Sequence, residues 1–280
     1  MRHRFGMRCS QPRKFHPAVA DAIKIRRMLA LLFFIQGVVT LVGQAEQLAG
    51  PEPGTLQRPA DAVLWRSIAE ADVIYIGETH DRPADHAYQL RLVRGMVRRQ
   101  MDFAVGWEMF DQTQQGSLDA WDRGLISRQQ LFQATGFDRR WAVYSPFYAK
   151  VLQTVKRARQ ENVALNAPPN LVKKIARGQN VSSQEKALLP HGFTTNRAAY
   201  RNFVALMGGH PGIPAHSVRS LFAAQNVWDQ TMADRILQFH RLRPQTKLVV
   251  LTGRGHVAGG FGIPFFVKQK GSLRQLIVLP

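Results

Sequence analysis

The sequence predicts an α/β protein: a mostly parallel central sheet flanked by helices, with a helical insertion and closing edge strands. Three observations carry this. Four short runs rich in β-branched and aliphatic residues are separated by segments of helical periodicity, the arrangement that produces crossovers in a parallel sheet. Those runs are apolar at consecutive positions, as in strands covered on both faces. Each run also stops at a polar or titratable residue, where open α/β sheets gather ligands.

Residues 1–45 read as a signal peptide. Lys24, Arg26 and Arg27 precede an apolar run from Met28 to Val42, and Gly43-Gln44-Ala45 offers small residues for cleavage after Ala45. The run is shorter than the ~20 residues of a membrane span. The expectation is an exported protein, periplasmic or membrane-associated, in a Gram-negative bacterium. Cys9 is the only cysteine and lies in this leader. The mature chain then has no disulfide, thiolate metal site or cysteine nucleophile. The net charge of +19 falls to about +12 beyond residue 45, with 30 basic against 18 acidic side chains. The excess is scattered, with no basic block interleaved with aromatics. That argues against nucleic acid and for an anionic small ligand or a membrane surface.

Residues 46–60 form a Pro/Gly-containing linker, and 61–280 one domain with a helical insertion at about 168–216. Leu64-Trp65-Ile68 marks a helical turn before the first strand, Asp72–Ile76, which Gly77 ends. Asp81 and Pro83 resemble an N-cap and a first-turn proline. Leu90, Val93 and Val97 recur at helical spacing and lead to a second strand, Phe103–Trp107, ending at Glu108. Residues 111–140 are polar and read as helical pieces and loops. Ser145-Pro146 opens a helix whose apolar stripe runs through Tyr148, Val151, Leu152 and Val155. Asn162–Leu165 is a third strand, ending at Asn166. Pro168-Pro169 starts a helix, Ser182-x-x-Glu185 is a capping box, and Gly208–Gly212 is a flexible hinge. Ser220–Arg243 reads as a long helix and Lys247–Leu251 as the fourth strand. Phe265–Val267 and Leu276–Leu279 read as edge strands, with antiparallel pairing left open.

The carboxyl ends of parallel strands share one edge, so Glu78, His80, Glu108, Asn166 and His256 are expected in one site, with Asp81 nearby. Gly77-x-x-His80 and Gly253-x-x-His256 repeat one pattern, a glycine turn with a histidine three residues on. Glu78, His80, Glu108 and His256 can hold a divalent metal ion, or act as general acid and base without one. His86, His191, His216 and His240 lack such placement and read as ordinary polar residues. His210 sits in the Gly/Pro-rich hinge, which could close over a ligand. Tyr144 and Tyr148 lie with Trp141 and Phe147 beside Arg139 and Arg140. Such a patch suits a flat apolar ligand bearing carboxylates, and a tyrosinate can ligate ferric haem.

IGETHD after a buried strand, WEMF, Trp141-x-x-Tyr144-x-Pro146, ALNAPPNLV, AQNVWDQTMA at 224–233 and LTGRGHVAGGFGIP together resemble the ChaN-like haem-binding, iron-regulated proteins. These motifs run from about residue 70 to 265. The wider superfamily includes Tiki, TraB and erythromycin esterase-like proteins, which share paired Gly-x-x-His motifs. The resemblance implies an exported haem-binding protein linked to iron uptake, with haem held by a tyrosine, sometimes between two protomers of a homodimer. Tyr144 sits in a family segment and is the preferred ligand, with Tyr148 and Tyr200 behind it. Gln225 and Asp229 match a family motif, and their i, i+4 spacing places both on one helical face in support of the polar site. The hydrolase branches of the superfamily imply the alternative, a metal-dependent peptidase or esterase using Glu78, His80, Glu108 and His256.

Overall fold

The computed structural model describes residues 59–141, 144–190, 192–193, 197–207 and 215–280. The expected leader, nearly all of the expected linker, and Gly208–Gly212, read as a hinge with His210, lie outside the described residues. Helix α1 (Pro59–Glu70) leads into β1 (Val73–Glu78), α2 (Pro83–Arg98) and β2 (Phe103–Asp111). A short turn and three helices follow, α3 (Gln115–Asp122), α4 (Arg128–Thr135) and α5 (Phe137–Trp141). Then come α6 (Ser145–Arg157), β3 (Glu161–Asn166), α7 (Pro169–Ala176), α8 (Ser183–Lys186), α9 (Arg197–Met207) and α10 (Ala215–Leu242). The chain ends with β4 (Lys247–Gly253), α11 (Ile263–Lys270) and β5 (Gln275–Val278).

The five strands form one parallel sheet in the order β3-β2-β4-β1-β5. Every residue of β1 and β2 is buried, which is why both read as unbroken apolar runs. Side chains alternate between two cores. Ile74, Ile76, Val105, Trp107, Val249 and Leu251 pack against α2, α4, α5 and α6 on one face. Val73, Tyr75, Ala104, Leu248 and Val250 pack against Met232, Ile236, Phe266 and Val267 of α10 and α11 on the other. Because β4 lies between β1 and β2, chain connections diverge at the sheet's centre, the switch point at which such sheets bind ligands.

The outer edge of β3 is closed by side chains. Gln115 accepts from the Ala164 N–H (2.8 Å) and donates to the Asn162 carbonyl (2.9 Å). Asp122 accepts from the Asn162 N–H (2.8 Å), and Arg235 donates to the Ala164 carbonyl (3.3 Å).

Three expectations need correction, and the pairing left open for the last strand is decided. Phe265–Val267 is helical: Pro264 sits in the first turn of α11, and Ile263, Phe266 and Val267 are buried at i, i+3 and i+4. That helix carries the chain back across the sheet, so β5 pairs with β1 in parallel. The N-cap of α2 is Arg82 and not Asp81; it makes no side-chain cap bond, and Pro83 occupies the first turn. Finally, β2 continues to Asp111 with a register shift after Trp107. Glu108 thus sits within an irregular stretch of strand, a position that re-aims side chains beside functional sites.

Candidate functional site

Strands β1 and β4 are neighbours with Glu78 opposite Gly253. That register sets the two Gly-x-x-His turns side by side. Beyond β1 the chain places His80, and beyond β4 a single 3-10 turn, Arg254–His256, places His256. Glu108 enters from β2 on the far side of β4. Helix α10 contributes Gln225 and Asp229, α2 contributes His86, and α6 contributes Tyr148. All eight side chains are buried, with Glu78 and Tyr148 completely so.

These groups form a chain of alternating acids and imidazoles. Asp229 Oδ1 lies 2.5 Å from His256 Nδ1, which also meets Gln225 Nε2 at 2.8 Å. His256 Nε2 lies 3.4 Å from Glu108 Oε1, and the same oxygen lies 3.9 Å from His80 Nε2. The other Glu108 oxygen accepts from the Thr252 hydroxyl (2.7 Å) and the Gly253 N–H (2.6 Å). His80 Nδ1 lies 2.7 Å from Glu78 Oε1, which also accepts from the Tyr148 hydroxyl. His86 Nε2 donates to the His80 carbonyl (2.9 Å), while its Nδ1 lies 3.1 Å from Glu78 Oε2, an ion-pair distance without hydrogen-bond alignment. His80 Nε2 is buried and makes no hydrogen bond. The His80 ring meets the indole of Trp141 edge to face at 5.1 Å.

Burial disfavours every charge in this cluster, and the neighbouring opposite charges answer it. For Glu78, burial is outweighed by His80 and His86, which draw the carboxyl down to about 2. Glu108 follows the same logic: burial opposes ionisation, yet His256 and His80 hold it below the usual carboxylate range. His256 is buried too, but Glu108 and Asp229 lift it to about 10. Burial leaves Asp229 raised. His80 and His86 are raised against burial by Glu78. Tyr148 is pushed well above the usual phenol range by burial and by the Glu78 carboxylate. Acids and imidazoles thus alternate through the cluster, Glu78 and Glu108 each favouring the charged form of the imidazoles beside them. Among the described residues, no group of three or more His, Cys, Asp or Glu side chains is placed to hold a metal ion.

The remaining expected residues fall in several places. Asn166 donates to the Glu108 carbonyl (2.9 Å) and so borders the cluster. Asp81 is exposed on the loop after His80. Arg139 is exposed on α5, whereas Arg140 turns inward to Gln114 (3.2 Å) and the Thr135 carbonyl (3.3 Å). Tyr144 is half-buried and stacks on His86 at 5.8 Å; burial raises its phenol, with Asp81 and Glu78 adding to the effect. Tyr200 lines a separate cleft of about 330 Å³ between α9 and α10, with Phe193, Arg197, Arg219, Phe222 and Asn226.

His86 corrects the sequence reading, which treated it as an ordinary polar residue. It belongs to the cluster. A signal was present: Asp85, His86 and Gln89 put three polar groups on the buried face of an otherwise amphipathic α2.

Fold and site define a parallel α/β protein in which two Gly-x-x-His turns bring their histidines to one buried glutamate. The family described as haem-binding uptake, Tiki superfamily, ChaN matches residues 64–267. The chain belongs to this ChaN family of haem-binding uptake proteins. Among curated proteins, no sequence matches this chain. Among solved structures it is similar to ChaN of Campylobacter jejuni, described with cofacial haem binding, at 23% identity over 79% of this chain and 85% of that one, with a TM-score of 0.61. It is also similar to a mutant erythromycin esterase, EreC, in an open conformation, at 13% identity over 81% and 74% of the two chains, TM-score 0.51. A succinoglycan biosynthesis protein shares 13% identity over 89% and 74%, TM-score 0.50. At these identities the structural likeness is one of fold.

Proposed function

We propose that this protein is an exported haem-binding protein of haem uptake or handling, whose tyrosine ligand is Tyr200. The observation that carries the choice of tyrosine is the α9–α10 cleft. Tyr148 is fully buried with its hydroxyl on Glu78, and Tyr144 lies against His86. Tyr200 lines an aromatic cleft with arginines at hand. Its ring meets Phe222 edge to face at 5.0 Å. Aromatic walls with a few convergent polar groups are what a flat apolar ligand needs. The residues present fit haem, which when bound supplies a ferric centre that a phenolate oxygen ligates. An open cleft of this size covers one face of such a ligand. A second copy of the chain, or a second haem stacked face to face as the cofacial binding described for ChaN of Campylobacter jejuni suggests, would cover the other. Titrating the mature protein with hemin should give a saturable Soret shift, with Tyr200→Phe weakening binding at least tenfold and Tyr144→Phe leaving it within twofold. A spectrum identical to free hemin would end the haem reading; the reverse ranking of the two variants would move the ligand to Tyr144.

A second reading rests on a specific atom. His80 Nε2 is buried, makes no hydrogen bond and lies 3.9 Å from Glu108 Oε1. An imidazole so placed beside a carboxylate can serve as a general acid or base, so the cluster supports an ester- or peptide-hydrolysing activity, with or without a divalent metal. A broad ester and peptide panel, run with and without added Mn²⁺ or Zn²⁺, should show turnover that His256→Ala removes. A panel inert under all these conditions would count against this reading.

A further inference from the structure

We infer that the cleft between α2, α4 and α6 binds a phosphate-bearing anion. The cleft lies on the sheet face opposite α10, whereas the Tyr200 cleft borders α10, so the two sites are independent. It holds about 670 Å³, within the range of small-ligand sites. Four cations line it from three helices: Arg94 from α2, Arg128 from α4, and Lys150 and Arg157 from α6. Asp138 is the one acidic side chain on its wall among the described residues. An adjoining hollow of about 510 Å³ shares Phe132 and Asp138 with it and adds Arg139.

The sign of the charge follows from the sequence of the walls. Helix α6 contains no acidic residue, and the acid of α2, Asp85, is buried in the first turn. Along α6, Pro146, Ala149, Lys150, Gln153, Thr154 and Arg157 all line the cleft. That spacing is one stripe of a helix, so the cleft follows α6 for about 16 Å. Lys150 and Arg157 lie two turns apart, about 10 Å along the axis, a separation that suits an extended ligand with more than one negative group. The first turns of α4, with Arg128 and Gln129, and of α6, with Ser145 and Pro146, also border the cleft. Helix amino termini carry partial positive charge and favour phosphate oxygens. Arginine adds a planar fork that fits two such oxygens at once. Phe132 and Ala149, each 6% exposed, form an apolar floor. A basic chain does not make every cleft one-signed: the hollow beside β3 sets Asp119, Asp122 and Glu161 against Arg123, Arg235 and Arg243. The α2–α4–α6 cleft therefore focuses a positive potential that a diffuse charge excess would not.

The test titrates the protein at low ionic strength with inorganic tripolyphosphate, with citrate, and with phosphatidylcholine vesicles made with and without phosphatidylglycerol. Tripolyphosphate should bind saturably and about tenfold or more tightly than citrate, whose charges are carboxylates on a shorter frame. The triple variant Arg94→Gln, Lys150→Gln, Arg157→Gln should weaken tripolyphosphate by about tenfold or more. The control triple Arg177→Gln, Arg241→Gln, Lys268→Gln removes the same charge from exposed sites elsewhere and should leave affinity within about threefold. Unchanged urea midpoints would show that both variants are folded; Lys150→Gln alone, about threefold weaker, gives the same reading should the cleft triple unfold. Vesicle binding that needs phosphatidylglycerol and is lost in the cleft triple would identify the phosphate as a lipid headgroup. Tripolyphosphate binding without vesicle binding would identify a free phosphate compound. Saturable binding of neither would overturn the inference. Equal affinity for citrate would overturn the assignment to phosphate, and equal loss in the control triple would overturn the assignment to this cleft.

Discussion

Glu108→Ala should lower the free energy of unfolding by about 3–5 kcal/mol, the cost of removing one partner from a buried ion pair. The side chain is 6% exposed, and its two oxygens serve four groups. Alanine would leave the Thr252 hydroxyl and the Gly253 N–H without their acceptor. It would also remove the carboxylate that favours the charged forms of His256 and His80. Glu108→Gln separates these contributions, because its carbonyl oxygen can still accept from Gly253 while the charge is gone. Its loss should fall between the native chain and Glu108→Ala. Urea unfolding with the slope unchanged is the measurement; a shift under 1 kcal/mol for Glu108→Ala would show that the cluster does not hold the sheet's rim together.

Gly262→Ala should cost about 3 kcal/mol, at the upper end of overpacking effects. A β-carbon there would lie 2.0 Å from the His256 carbonyl oxygen and 3.2 Å from Asp229 Oδ2. Backbone cannot rotate away as a flexible side chain does. The turn carrying His256 would have to shift from Glu108 or α11 from the sheet. The expected result is a lower urea midpoint together with a moved His256 resonance. A native-like midpoint would mean that the turn after β4 is more pliant than its packing implies.

Much of this arrangement was legible in the chain. Consecutive apolar residues in Asp72–Ile76, Phe103–Trp107 and Lys247–Leu251 report strands buried on both faces, and the polar residues after them report a shared edge. The two Gly-x-x-His patterns announced a pair, and the register of β1 against β4 brings that pair together. What was not legible depends on long-range packing. Phe265-Phe266-Val267 satisfies a strand and a buried helix equally well over three residues; only the burial of Ile263, Phe266 and Val267 on α10 decides it. The direction of β5 followed from that helix. His86 gives no local sign of its partner, because Glu78 reaches it across a turn of loop and one of helix. The tyrosines were hardest to rank: a phenol's availability depends on whether its oxygen is already occupied, as that of Tyr148 is by Glu78.

The closed rim of β3 has a bearing on how copies of this chain can meet. With Gln115, Asp122 and Arg235 standing in for a neighbouring strand, there is no free ladder for another molecule's backbone to extend at that border. Self-association that continues the sheet there is closed off. A haem-sharing pair would therefore have to meet elsewhere than at β3, and one joined through helices, side chain against side chain, could come apart again without disturbing a single strand.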